Sequence, residues 1–186
     1  LSHFYNEEEI RLIYCFLFTM PGVPFLYYGD EINMSYLPLK TKEGGYHRTG
    51  SRSPMQWNHS KNAGFTTADE KDIYLPVDTN LGNKTVEDQI DDEKSLLNHV
   101  RKLLSLRHQN ACLRSVNNIE IIFASEEKKL FIYKRGDFYF VCNPSYYEEH
   151  YSFPNNVDYI YGVGETIVNN NDIIIKPNSF AILKIK

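Results

Sequence analysis

Near Asn110 the period of the hydrophobic pattern changes, and this change limits the possible folds more than any other feature of the chain. Ahead of it, Ile10, Ile13, Tyr14 and Leu17 recur at spacings of three and four, the period of a helix with one buried face. Asn6 with Glu9 three positions on offers a capping box, and Pro21-Gly22 forbids continuation, so a helix is expected over 7–19. The next run, Pro24-Phe25-Leu26-Tyr27-Tyr28, is short, aromatic and without alternation, as in a strand buried on both faces. A second amphipathic helix is expected from just after Asp91 or Asp92 to about His108, with Leu96, Leu97, Val100, Leu103, Leu104 and Arg107 on its repeating face. The stretch between, from Gly29 to Asp92, shows no sustained period and is punctuated by Gly44, Gly45, Gly50, Pro54, Gly64, Pro76 and Gly82. Long connections of this kind usually carry function.

After Asn110 the runs become short and rich in Ile, Phe, Tyr and Val, separated by polar turn clusters such as Arg-Gly-Asp and Asn-Pro-Ser. About seven strands are expected, near 118–124, 129–135, 138–143, 147–152, 159–162, 172–176 and 179–185, enough for an antiparallel β-sandwich. Asn169-Asn170-Asn171 reads as a turn. The expected organisation is α/β over 1–110 followed by all-β over 111–186.

Composition removes several function classes. The formal charge of −4 includes no basic stripe to neutralise phosphates, so no nucleic-acid partner is expected. No apolar run approaches the roughly 20 residues of a membrane span, so no membrane partner is expected either. Cys15, Cys112 and Cys142 are odd in number and lack metal-ligand spacing; they read as reduced thiols, suited to a cytoplasmic setting, although one disulfide plus a free thiol stays open. Histidines 3, 47, 59, 99, 108 and 150 form no ligand pattern, and Gly162-x-Gly164 has neither a third glycine nor a following helix. Neither a metal nor a cofactor is expected.

Two ordered motifs carry a resemblance to a known family. Pro21-Gly22-Val23-Pro24-Phe25-Leu26-Tyr27-Tyr28-Gly29-Asp30-Glu31 resembles the last barrel strand of the α-amylase superfamily of glycoside hydrolases. Arg48-Thr49-Gly50-Ser51-Arg52-Ser53-Pro54-Met55-Gln56-Trp57, with Asn62-Ala63-Gly64-Phe65, is similar to the long loop after that strand in α-glucosidases, oligo-1,6-glucosidases and trehalose synthases. Asn178-Ser179-Phe180-Ala181-Ile182-Leu183 resembles the closing strand of the family's C-terminal sandwich. The resemblance implies the terminal piece of a (β/α)8 TIM barrel, with final strand, long loop and final helix, followed by a β-sandwich. It implies a retaining enzyme acting on α-glucosidic bonds of short oligosaccharides through a covalent intermediate. The family's catalytic carboxylates sit on earlier strands, the last in an Asn-His-Asp motif that does not occur here. This chain, opening at Leu1 without Met, is therefore expected to be an inactive fragment of such an enzyme.

Arg52 aligns with the loop arginine that closes the non-reducing end of the family's substrate pocket, where a guanidinium forks onto hydroxyls or a carboxylate; a solvated loop arginine is the alternative. Tyr46 and Trp57 are candidates to stack on a glucose ring, with loop anchoring as the alternative for Trp57. Asp30 and Glu31 tempt as an acid–base pair, but adjacent residues in extended backbone point to opposite faces, which favours structural anchoring. Tyr27 and Tyr28 are expected in the core. A competing reading makes residues 111–186 a non-catalytic carbohydrate-binding or scaffold module with Tyr146, Tyr147, Tyr151, Tyr159 and Tyr161 as a platform. A barrel strand without neighbours would also leave Phe25 and Leu26 seeking partners, so self-association is expected.

Overall fold

The computed structural model describes residues 1–39, 47–82 and 84–186. These divide into two compact units, one of residues 1–7 and 25–101, the other of residues 8–24 and 102–186.

In the second unit, α1 (Glu7–Thr19) forms over the span its periodicity predicts and buries Ile10, Tyr14, Cys15, Phe18 and Thr19. Eight strands follow: β1 (Glu120–Phe123), β2 (Phe131–Arg135), β3 (Phe138–Asn143), β4 (Glu149–Ser152), β5 (Val157–Val163), β6 (Thr166–Asn169), β7 (Asp172–Ile175) and β8 (Ser179–Ile185). They build a five-stranded sheet of order β1-β2-β3-β8-β5 and a three-stranded sheet of order β4-β7-β6, antiparallel throughout. Ile132, Val141 and Leu183 from the larger sheet and Ile173 and Ile175 from the smaller enter one core. On the other face of β2 and β3, Tyr133 stacks on Phe140 at 4.9 Å and meets Phe16 of α1 edge-on at 6.2 Å. With both faces covered, all six residues of β3 are buried, which accounts for its unbroken apolar run.

The sequence pattern predicts seven strands, and β6 is the additional one. Only Ile167 and Val168 are apolar in it, too little for a periodic signal, and it holds its place through antiparallel register with β7, Val168 opposite Ile173. The turn between them puts Asn170 at φ 57°, a left-handed conformation that asparagine tolerates.

In the first unit, the expected strand at Pro24–Tyr28 is not formed. The backbone is irregular up to a turn at Tyr28-Gly29, and Phe25 is 88% exposed. A strand exists only through hydrogen bonds to a neighbour in register, and neither sheet supplies one. Tyr27 and Tyr28, expected in the core, are instead about half-exposed, with ring centroids 4.6 Å apart.

The long loop is broken into 3-10 turns at Asp30–Ile32, His47–Ser51, Lys61–Gly64 and Glu70–Asp72, then a short helix α2 (Val86–Ile90) that the sequence pattern does not announce. Its start is a capping box in which Thr85 Oγ1 accepts from Asp88 N while Thr85 N donates to the Asp88 carboxylate. Helix α3 (Leu96–Gln109) begins a few residues later than the periodicity suggests. Ile32, Met55 and Leu97 form a small core with Met34 and Val86 against it. Buried Gln89 ties it together, donating to Ile32 O at 3.0 Å and accepting from Leu97 N at 3.1 Å.

Candidate functional site

The site lies in the first unit and is assembled around two backbone devices. Gly29, at φ 85°, turns the chain after Tyr28, and an added Cβ there would lie 2.4 Å from Met34 Sδ. Leu37 N then donates to Gly50 O at 3.0 Å, closing the base of the loop that carries residues 47–57. The approach is so close that a Cβ on Gly50 would sit 1.8 Å from Leu37 O. Only glycine permits it.

From this base the chain runs past Ser51 and Arg52 into a buried stretch, Ser53, Pro54, Met55 and Gln56, before Trp57 returns to the surface. Ser51 and Ser53 line a cavity of about 400 Å³ together with His3, Tyr28, Asp30 and Tyr36. The Tyr28 hydroxyl donates to Ser53 O at 3.2 Å. Burial pushes the Tyr28 phenol up, its neighbour Tyr27 adds to this, and the positive charge of Arg52 opposes it. Arg52 therefore lies within electrostatic reach of Tyr28 with its own side chain exposed. The cavity combines aromatic walls, hydroxyls, an imidazole and a carboxylate, a set suited to a polyhydroxylated ligand of a few rings.

Trp57 is 49% exposed and is not among the residues lining this cavity. Its backbone is held on both sides: Trp57 N donates to Ala63 O at 2.8 Å, and Glu87 N donates to Trp57 O at 2.9 Å. The opposing Asn62 and Ala63 both adopt left-handed conformations, at φ 55° and 54°. Asn62 fixes that bend by donating to Thr66 O and Ala68 O, each at 2.9 Å. Tyr46 lies outside the described residues. Glu31 keeps one carboxylate oxygen buried without a partner among the described residues, while Asp30 faces the cavity. Tyr28, expected in the core, joins the site, as do His3 and Tyr36, which the sequence pattern does not mark because they come from separate segments with no common spacing.

Among the described residues no group of three or more His, Cys, Asp or Glu is placed to hold a metal ion. No helix among them is long and apolar enough to cross a membrane.

Comparison with known proteins identifies the family. The trehalose synthase/amylase TreS of Mycobacterium tuberculosis (strain CDC 1551 / Oshkosh) is 39% identical over 109 residues, covering 56% of this chain and 17% of that protein. The probable oligo-1,6-glucosidase 2 of Bacillus subtilis (strain 168) is 29% identical over 160 residues, 70% of this chain and 28% of that protein. The crystal structure of isomaltulose synthase from Erwinia rhapontici NX5 superposes with a TM-score of 0.75 at 24% identity, covering 97% of this chain and 38% of that one, which is a likeness of fold. This chain thus spans well under half the length of each of these proteins. The alpha-amylase catalytic-domain model matches residues 2–116, more than half of the sequence, and the chain belongs to the α-amylase family of glycoside hydrolases.

Proposed function

We propose that this chain is the C-terminal part of a retaining glycosidase or glucosyltransferase acting on α-glucosidic bonds of short oligosaccharides. In this reading residues 1–110 derive from the end of the catalytic barrel and residues 111–186 form a β-sandwich whose two sheets share one core. Arg52 contacts the substrate at the closed end of the pocket, and Tyr46 and Trp57 present ring faces to glucose. The observation that carries the proposal is the exposed Arg52 between two serines of an aromatic-lined cavity. Arg52 is not itself among the residues lining the cavity, but an exposed guanidinium flanked in sequence by two that do can fork onto sugar hydroxyls.

The barrel carboxylates that attack and protonate the sugar are assigned to a preceding segment, so residues 1–186 by themselves are read as inactive. Cys15, Cys112 and Cys142, which form no disulfide, suit a reducing, cytoplasmic compartment. The exposed Phe25, Leu26, Tyr27 and Phe4 make self-association of the isolated chain the expected behaviour, which light scattering would report.

The test is an assay of two proteins on maltose, isomaltose, sucrose and starch: residues 1–186, and the product of the whole reading frame that encodes them. Turnover of the short substrates by the longer protein alone, with an Asn-His-Asp motif upstream of Leu1, is the expected result. Turnover by residues 1–186, or a longer product without activity on any α-glucoside, would overturn the reading.

A further inference from the structure

The second unit carries a surface that the proposed reaction does not use. Tyr146 and Tyr147, in the β3–β4 connection, are 80% and 76% exposed, yet the backbone presenting them is held rigidly. The fully buried Asn143 donates through Nδ2 to Tyr147 O at 2.8 Å, Lys176 O at 3.0 Å and Ile175 O at 3.2 Å. Ser145 Oγ donates to Asn143 Oδ1 at 2.7 Å and accepts from Tyr147 N at 3.1 Å, and Asn178 N donates to Ser145 O at 3.2 Å. The loop is thereby tied to the β7–β8 turn. Apolar rings are costly to leave in water on a segment already ordered, and rigid aromatics bind with little further loss of entropy.

Polar groups border the rings. Glu148, next in sequence, is paired with the Lys176 ammonium, and its other oxygen meets His150 Nε2 at 2.9 Å. His150 in turn forms one edge of a surface depression of about 420 Å³ on the outer face of the three-stranded sheet, where Ser152, Asn169 and Asp172 supply a hydroxyl, an amide and a carboxylate beside Ile167 and Ile174. Two exposed rings, the Glu148–Lys176–His150 cluster and the depression thus follow one another along the chain from Tyr146 to Ser152 as a track.

We propose that this track is a docking site for an α-glucan chain, with Tyr146 and Tyr147 stacking on successive glucose rings and Glu148, His150 and Asp172 taking hydroxyls. The sugar class rests on the proposed function; the location does not. Two tyrosines offer about 300–400 Å² of ring surface, well short of the roughly 800 Å² per partner that a stable protein interface needs. That area matches a few sugar rings, which present both C–H faces and hydroxyls.

Residues 1–186 are run in native gels containing amylose and titrated with maltoheptaose by NMR, beside the Tyr146→Ala/Tyr147→Ala, Tyr146→Phe/Tyr147→Phe and Arg52→Ala variants. Wild type and the Phe pair are expected to be retarded alike, with dissociation constants of about 1 mM, a modest affinity fitting a small exposed site. The Ala pair should bind at least about fivefold more weakly with an unchanged far-ultraviolet spectrum, while Arg52→Ala reports separately on any sugar held at the cavity. No retardation of wild type, or retention by the Ala pair, overturns the platform. Loss confined to Arg52→Ala also overturns it while supporting the cavity as the sugar site, so the two proposals fail separately.

Discussion

Arg135, at the end of β2, donates through Nη1 to the carbonyl of Thr19, the last residue of α1, at 2.8 Å. The same guanidinium reaches Leu113 O, Arg114 O and Asn117 O, and Arg107 reaches Phe18 O, Met20 O and Gly22 O. Two buried cations thus serve as the cap that α1 lacks in sequence, satisfying carbonyls at the negative end of its dipole. Arg135 is 1% exposed. Arg135→Met strands several buried carbonyls and should cost about 2–4 kcal/mol in urea unfolding. Arg135→Lys should recover little of it, since an ammonium cannot span the same fork.

The alkaline limb of stability should be steep. Burial pushes the Cys142 thiol up to about 12, Tyr161 to about 12 and the Tyr133 phenol well above its usual range. Each keeps its proton in the folded chain and releases it sooner in the unfolded one. Their stabilisation is complete below the unfolded values and is lost as pH climbs toward the folded ones. Urea midpoints measured from pH 8 to 11 should therefore fall from about pH 9 upward, by at most about 1.4 kcal/mol per pH unit for each group. Cys142→Ala should flatten the onset, and a flat wild-type profile would contradict the burial of these groups.

At the acid limb, the capping box of α2 governs one contribution. The hydrogen bond from Thr85 holds the Asp88 carboxyl below its usual value, with further help from His59 at 2.8 Å. A depressed carboxylate stabilises the fold above its unfolded value and ceases to as pH falls through the folded one. Thr85→Ala should cost about 1 kcal/mol at pH 7. Asp88→Asn should remove part of the stability loss otherwise seen below about pH 4, measured by thermal melts from pH 3 to 7.

Gly50→Ala tests the base of the candidate site. Its Cβ would meet a backbone carbonyl, Leu37 O, which cannot rotate away, so the pairing of Leu37 with Gly50 must open. The expected cost is about 1–3 kcal/mol, accompanied by faster hydrogen exchange at Leu37 N, the donor of that pairing. Protection unchanged at that amide would show that the loop closes by another route.

Much of the fold is legible in the residues because its causes are local. The 3.6-residue period and the Pro21-Gly22 stop specify α1 to the residue, and β2, β3 and β8 announce themselves as short runs rich in Ile, Phe, Tyr and Val. The motif around Arg52 also carries the family, and Ser51 and Ser53 of that motif line the cavity. What local pattern misses depends on partners. β6 is a strand only because β7 lies in register beside it, and α2 exists through a cap and one buried glutamine.

α1, α3, most of the strands and the family can be read along the chain, since periodicity, stop signals and motif order are local properties. Long-range packing sets the rest: Pro24–Tyr28 is irregular rather than a strand, Tyr28 and Tyr36 line one cavity, and Arg135 closes α1. Each of these depends on which backbone groups find hydrogen-bond partners at long range, and a strand without a neighbour, however apolar, has none.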